Sequence, residues 1–181
     1  MKYNKKGIEK RLEELTVNQT NSINAVVRSF EHISNEVSQI LILGTMPSVQ
    51  SRNENFYYAN PRNRFWLVIA RCLGQNIPIT NTEKINLLLE NFIALWDILD
   101  TCEIKGSDDS TIKKPVYNNI LTFIRDRPIK KIICNGKKAY NFCQDYDLNL
   151  PVLYAPSTSP ANAKWSVERL IDAWKPMFIY H

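Results

Sequence analysis

At 181 residues with 44% hydrophobic content, the chain has material for one sizeable core and is too short for two ordinary domains to be the default. No stretch approaches the roughly 18 uncharged apolar residues that span a bilayer, and the N-terminus MKYNKKGIEKRLEEL has no apolar signal segment behind its basic residues, so a soluble, cytoplasmic protein is expected. A net charge of +5 suits a polyanionic partner without demanding one. Cys72, Cys102, Cys134 and Cys143 are scattered, with no CxxC pair or Cys/His cluster, which predicts four reduced, mostly buried thiols and no metal. His32 and His181 are the only histidines, which leaves Ser-His and Cys-His catalysis almost without a candidate base.

Residues 1–36 read as an N-terminal helical extension: Ile8, Leu12 and Leu15 have helical spacing, and an Asn/Ser-rich connector follows. From Val37 the texture changes, and 37–181 reads as the functional domain. Ile40-Leu41-Ile42-Leu43 ends at Gly44 and has the continuous apolar character of a central strand buried on both faces. After a loop over 44–63, Phe65, Trp66, Ile69, Ala70 and Leu73 recur at helical spacing and stop at Gly74, a glycine C-cap. A second helix covers 82–90.

Phe92 to Leu99 reads as the next strand and its exit, followed by the polar loop Lys105 to Ser110. Val116 to Phe123 suits a helix. Lys130 to Cys134 reads as a strand, Asn135-Gly136 as a turn and Lys137 to Gln144 as a helix. Pro151 to Tyr154 is a strand, Ala155 to Pro160 a loop, and Ala161 to Met177 a closing helix. Strands alternating with helices predict a three-layer α/β/α sandwich around a mostly parallel, four-stranded sheet.

Ligand sites of such sheets lie beyond the carboxyl ends of the strands. The four loops expected there, 44–63, 97–110, 134–137 and 155–163, are rich in Asn, Asp, Ser, Thr, Arg and Tyr and hold no Gly-rich phosphate cradle, which argues against a dinucleotide or ATP enzyme. Tyr57-Tyr58-Ala59-Asn60-Pro61-Arg62-Asn63-Arg64-Phe65-Trp66 sets stackable rings, guanidinium groups and carboxamides around one proline. That mixture suits a pocket gripping a nucleobase and its phosphates better than a core.

This segment, together with Leu43-Gly44-Thr45-Met46-Pro47-Ser48, Leu95-Trp96-Asp97, Cys134-Asn135-Gly136-Lys137-Lys138-Ala139-Tyr140 and Pro156-Ser157-Thr158-Ser159-Pro160-Ala161-Asn162-Ala163, resembles the ordered motifs of the uracil-DNA glycosylase superfamily. Within it the hypoxanthine (deoxyinosine) DNA glycosylases are the nearest match, over roughly 37–177. The resemblance implies hydrolysis of the N-glycosidic bond of a deaminated base flipped out of DNA, in base excision repair, without metal or cofactor and by a monomer.

The resemblance also distributes roles. The residue before the proline of the first motif is usually an Asp or Asn that positions water, and here it is Met46. Hypoxanthine-type members use the Asn of a His-Pro-Arg-Asn segment instead, which is Asn63, the implied catalytic residue. Tyr58 corresponds to an aromatic that stacks on the flipped base. Asp97 corresponds to a polar base reader, whose carboxylate suits the N1–H of hypoxanthine or the N3–H of uracil, and Gly44 and Asn60 complete the base-binding set. Asn60 stands where the family usually has histidine. Ser48, Arg62, Asn135, Ser157, Ser159 and Asn162 are the implied DNA contacts, with 157–163 the loop that pinches the backbone.

Plainer roles compete. Phe65 and Trp66 continue a helical stripe and suit packing; Asn63 suits a helix N-cap; Arg62 and Arg64 suit solvent; Ser157 to Pro160 suits a capping segment. Two other functions remain open: a non-catalytic reader of damaged DNA or nucleotides, which Met46 and Asn60 favour, and a hydrolase of free nucleosides.

Overall fold

The computed structural model describes residues 25–179; the helix expected around Ile8 to Leu15 lies outside them. The central sheet runs in the order β3-β2-β6-β7, all parallel, from β2 (Ile40–Gly44), β3 (Ile93–Asp97), β6 (Lys131–Asn135) and β7 (Val152–Ala155). β2 lies inside the sheet, and its side chains feed two cores. Ile40 and Ile42 join one with Phe65, Ile69, Leu88 and Trp174; Leu41 and Leu43 join the other with Ile98, Ile120, Ala139 and Cys143. A strand covered on both faces has no solvent side, which is why this segment shows no polar alternation.

On one face pack α2 (Phe65–Leu73), α3 (Asn81–Glu90) and α6 (Val167–Trp174). α2 ends on Gly74 at φ 67, the left-handed cap its sequence predicts. α3 begins with a capping box in which Thr80 and Glu83 satisfy each other's backbone. The other face is covered by α4 (Ile120–Arg125), α5 (Lys137–Cys143) and a small antiparallel sheet. The molecule is the expected three-layer α/β/α arrangement, with part of one layer made of strands.

That small sheet, β1-β4-β5, corrects three readings. Ala25–Arg28 (β1), in the presumed connector, pairs with β4. The strand expected over 92–99 is two strands: β3 ends at Asp97, and Leu99–Ile104 (β4) leaves for the second sheet. Lys113–Tyr117 (β5) is an edge strand where a helix was expected from Val116, and α4 starts only at Ile120, capped by Asn119. The closing helix is also shorter than 161–177. Residues 159–165 are turns, Ser166 caps α6 through Arg169 N–H, and Lys175–Phe178 tighten into a 3-10 turn. The loop over 44–63 contains one unforeseen short helix, α1 (Val49–Asn53), capped by the Ser48 hydroxyl. All four cysteines are buried free thiols. No helix among the described residues is long and apolar enough to cross a membrane.

Candidate active site

Four strand ends converge. β2 delivers Gly44, β3 Asp97, β6 Asn135, and the chain leaving β7 delivers Ser157 to Ser159, around a cavity of about 120 Å³. The register sets Gly44 beside Asp97, and the glycine is needed there. A methyl group at position 44 would overlap Asp97 Oδ1 and lie 3.0 Å from the Tyr58 hydroxyl. Gly44→Ala therefore displaces two cavity side chains at once, and thermal melts of the variant are expected to show a stability loss of about 1–3 kcal/mol.

Asp97 is 3% exposed. Its Oδ2 accepts a hydrogen bond from the Ser29 hydroxyl at 3.1 Å, while Oδ1 faces Gly44 and the cavity. Burial, followed by the nearby Asp109 carboxylate, raises its pKa to about 7 against the opposing Ser29 bond. The carboxylate expected from sequence is thus largely a neutral acid below neutral pH, with one O–H donor and one carbonyl acceptor.

A chain of hydrogen bonds holds the opposite wall. The Asn135 carboxamide accepts from Thr158 N–H at 3.0 Å and donates to Thr158 Oγ1 at 3.1 Å and to the Tyr58 hydroxyl at 3.0 Å. Thr158, fully buried, donates its hydroxyl to Asn63 Oδ1 at 2.9 Å. Phe65 N–H, 3.0 Å away, donates to the same oxygen, so Asn63 satisfies the first N–H of α2 from one residue ahead of its N-cap, Arg64, which has no side-chain cap bond of its own. Both partners are donors, which fixes Oδ1 as the atom they meet. Asn63 Nδ2, which makes no hydrogen bond among the described residues, is left for the cavity that Asn63 lines.

Tyr58 adopts φ 51, an uncommon conformation for a bulky side chain, and its ring stacks on Phe65 at 4.0 Å and 18°. Burial, then the Asp97 charge, drives its hydroxyl pKa upward, so it stays a proton carrier. Phe65 and Trp66 themselves are core residues.

Arg64 is no surface charge. Its guanidinium donates to the carbonyls of Thr158, Ser159, Asn162 and Trp165, and so clamps the whole 158–165 loop to the start of α2. Gly136 lets the neighbouring loop approach: at φ 104, a Cβ there would stand 3.1 Å from Ser157 Cβ.

Of the residues singled out by sequence, Gly44, Ser48, Tyr58, Asn63, Asp97, Asn135, Ser157 and Ser159 line this cavity. Asn162 lines an open groove that continues from it past Ser157 and Ser159 towards Lys137, Tyr154 and Lys164. Asn60 and Arg62 are not among the lining residues of either. Asn60 Oδ1 accepts from Arg62 N–H and shapes the turn before Asn63, and Arg62 is exposed. Among the described residues no group of three or more His, Cys, Asp or Glu is arranged to hold a metal ion.

The sequence profile of the uracil DNA glycosylase superfamily matches residues 31–177. The chain belongs to the uracil DNA glycosylase superfamily. This glycosylase is 32% identical to a hypoxanthine DNA glycosylase of Methanosarcina acetivorans over 158 residues, which covers 84% of this chain and 98% of that protein. It is 30% identical to one of Methanosarcina barkeri over 115 residues, covering 62% and 72%. In structure it superposes with a TM-score of 0.76 on a candidate uracil DNA glycosylase of Methanosarcina acetivorans solved by NMR in solution. The two are 30% identical, and the match covers 85% and 97% of the chains.

Among the cavity residues of the glycosylase that escaped the sequence reading are Thr45, Thr158 and Asp109. Thr158 lay in a Ser/Thr run in which each hydroxyl looked equivalent; only the fold buries this one. Asp109 lay in the polar run after Gly106, where two successive aspartates signal a turn and nothing distinguishes the one that faces inward.

Proposed function

We propose that this DNA glycosylase removes hypoxanthine from DNA, hydrolysing the N-glycosidic bond of a flipped-out deoxyinosine and leaving an abasic site. The observation that carries the reading is Asp97, a carboxyl buried in the cavity, where burial raises its pKa to about 7 and favours the neutral acid below that pH. A neutral carboxylic acid matches the lactam edge of hypoxanthine, its O–H donating to the C6 carbonyl and its C=O accepting from N1–H. The names of the two relatives support the same base.

In this reading Tyr58, braced on Phe65, provides the wall on which the base stacks, and Asn63 Nδ2 donates to the oxygen of the attacking water. The Asn135–Thr158 bonds hold Tyr58 and Asn63 in register, so these two groups need no reorganisation at the moment of reaction. As the C1′–N bond breaks, its electron pair leaves with the base, and donors at the Asp97 end stabilise that charge. The groove beyond Ser157 carries the flanking backbone, with Lys137 and Lys164 facing phosphates. Extrusion costs a few kcal/mol, and these contacts offset it.

The test uses labelled oligonucleotides carrying one hypoxanthine, uracil or xanthine, incubated with the protein and then cleaved with alkali at abasic sites. Selective scission at hypoxanthine is expected. Retained duplex binding with no scission of any substrate would overturn catalysis and leave a lesion reader.

A further inference from the structure

Hydrolysis needs more than a positioned water. Its proton must go somewhere, and the positive charge growing on the deoxyribose must face an anion. The residues assigned so far supply neither. Asn63 is an amide, which does not take up protons. Asp97 faces the base, and burial raises its pKa to about 7, so below that pH it holds its own proton. Met46, on the wall that follows β2, is apolar.

One further carboxyl lines the cavity, Asp109, and it arrives from the β4–β5 connection, outside the central sheet. Its 3-10 turn is fastened in place. Asp108 Oδ1 accepts from Ser110 N–H at 2.9 Å and from the Ser110 hydroxyl at 2.6 Å. The Ser107 hydroxyl accepts from Val49 N–H at 2.9 Å, and Arg52 donates to Gly106 O at 3.3 Å. The turn is thereby tied to the start of α1, three residues after Met46, and Asp109 lines the cavity together with Thr45 and Met46. A carboxylate thus stands beside the apolar stretch of the 45–47 wall.

We propose that Asp109 is a catalytic residue: the general base that, opposite the Asn63 amide, holds the attacking water and faces the deoxyribose. The inference rests on the glycosylase reading above. Water oxygen bonds to C1′ while one of its protons passes to Asp109. The C1′–N bond breaks with its electron pair on the base, and the proton then leaves Asp109 to neutralise the departed base anion through solvent. No other reactant is consumed.

Thr45, Lys138 on α5 and Asp108 on its own turn act on the charge of Asp109, and that charge in turn raises the pKa values of Asp97 on β3, the Tyr58 hydroxyl and the Cys102 thiol on β4. Burial raises the pKa of Asp109 most, with Asp108 adding to the rise, against Thr45 and Lys138. The two cavity carboxyls interact, so they titrate as a pair. Asp97, the more buried, keeps the proton longer. The active form has Asp109 ionised and Asp97 protonated.

The experiment compares wild type, Asp109→Asn and Asp109→Glu in single-turnover release of hypoxanthine from an oligonucleotide across pH, alongside binding of the same oligonucleotide. Asp109→Asn is expected to slow release ~10²–10⁴-fold, to change binding less than about 3-fold, and to lose the acid limb of the rate profile. Asp109→Glu restores part of the rate together with that limb. A rate for Asp109→Asn within about 3-fold of wild type, an acid limb that survives, or binding that falls as much as the rate would overturn the role. If the wild type releases no base, the glycosylase reading and this role fall together; release with an indifferent Asp109 overturns the role alone.

Discussion

Asn63→Ala is expected to lower the rate of base release ~10³-fold, the scale seen when one preorganised donor is removed from a reacting centre, while the protein remains folded and bound to DNA. The geometry separates the two consequences of the change. Oδ1 is structural: it accepts from Phe65 N–H and Thr158 Oγ1, and its loss removes the acceptor for the first N–H of α2 and strands one buried hydroxyl, at a cost of about 1–3 kcal/mol. Nδ2 is the group offered to the cavity, and its loss touches only the reaction. Single-turnover release, thermal melting and duplex binding, measured on one preparation, distinguish these effects. Asn63→Asp keeps the acceptor, so its melting temperature stays near wild type while release still falls, because the donor is gone. A variant that melts normally and cuts normally would show that Asn63 only satisfies the start of α2.

β2, β3 and β6 were legible because each is a near-continuous apolar run buried on both faces, which leaves no polar alternation, whereas the half-exposed edge strand β7 was legible as the short run Val152-Leu153-Tyr154 between two prolines. The small antiparallel sheet was not, and its composition explains why. β5 opens with Lys113, Lys114 and Pro115 on an exposed edge, the residues that keep an edge strand from pairing further, and they read locally as loop. β1 is four residues with one buried, Val27. The closing helix was placed too early because Ala161 to Trp165 has acceptable helical composition. That segment is held as turns by bonds from Arg64, almost a hundred residues away.

The site divides in the same way. Residues at strand ends, such as Gly44, Asp97 and Asn135, follow from knowing where the strands stop. The engagement of Asn135 with Tyr58 and Thr158, and the inward turn of Asp109, depend on pairings of distant segments that no local pattern encodes. Tyr58 lay between. Its aromatic character was visible, but its left-handed backbone and its brace on Phe65 belong to the assembled loop.

Asp97 carries the last and most discriminating expectation. Asp97→Ala removes the base reader and should slow hypoxanthine release ~10⁴-fold, in the range by which a site built to hydrogen-bond its substrate loses activity when that pairing is lost. Asp97→Asn should not, because an amide presents the same donor and acceptor to a lactam edge as the neutral acid does; a rate within about 10-fold of wild type at neutral pH is expected. The two proteins should differ in pH dependence. In the wild type, ionisation of Asp97 through its pKa of about 7 removes the donor, so release declines on the alkaline side; in Asp97→Asn that decline is absent. Stability follows from the same shift. An acid whose pKa is higher folded than unfolded binds more protons in the native state, so its contribution weakens as pH rises from about 4 to about 7 and stays low above that. Asparagine cannot ionise, so Asp97→Asn should match the wild type in acid and exceed it at pH 8 by a few kcal/mol, or roughly 5–10 °C in melting temperature. Equal melting curves at pH 8, together with an alkaline decline shared by both proteins, would mean that Asp97 is ionised in the folded protein and reads the base as an acceptor alone.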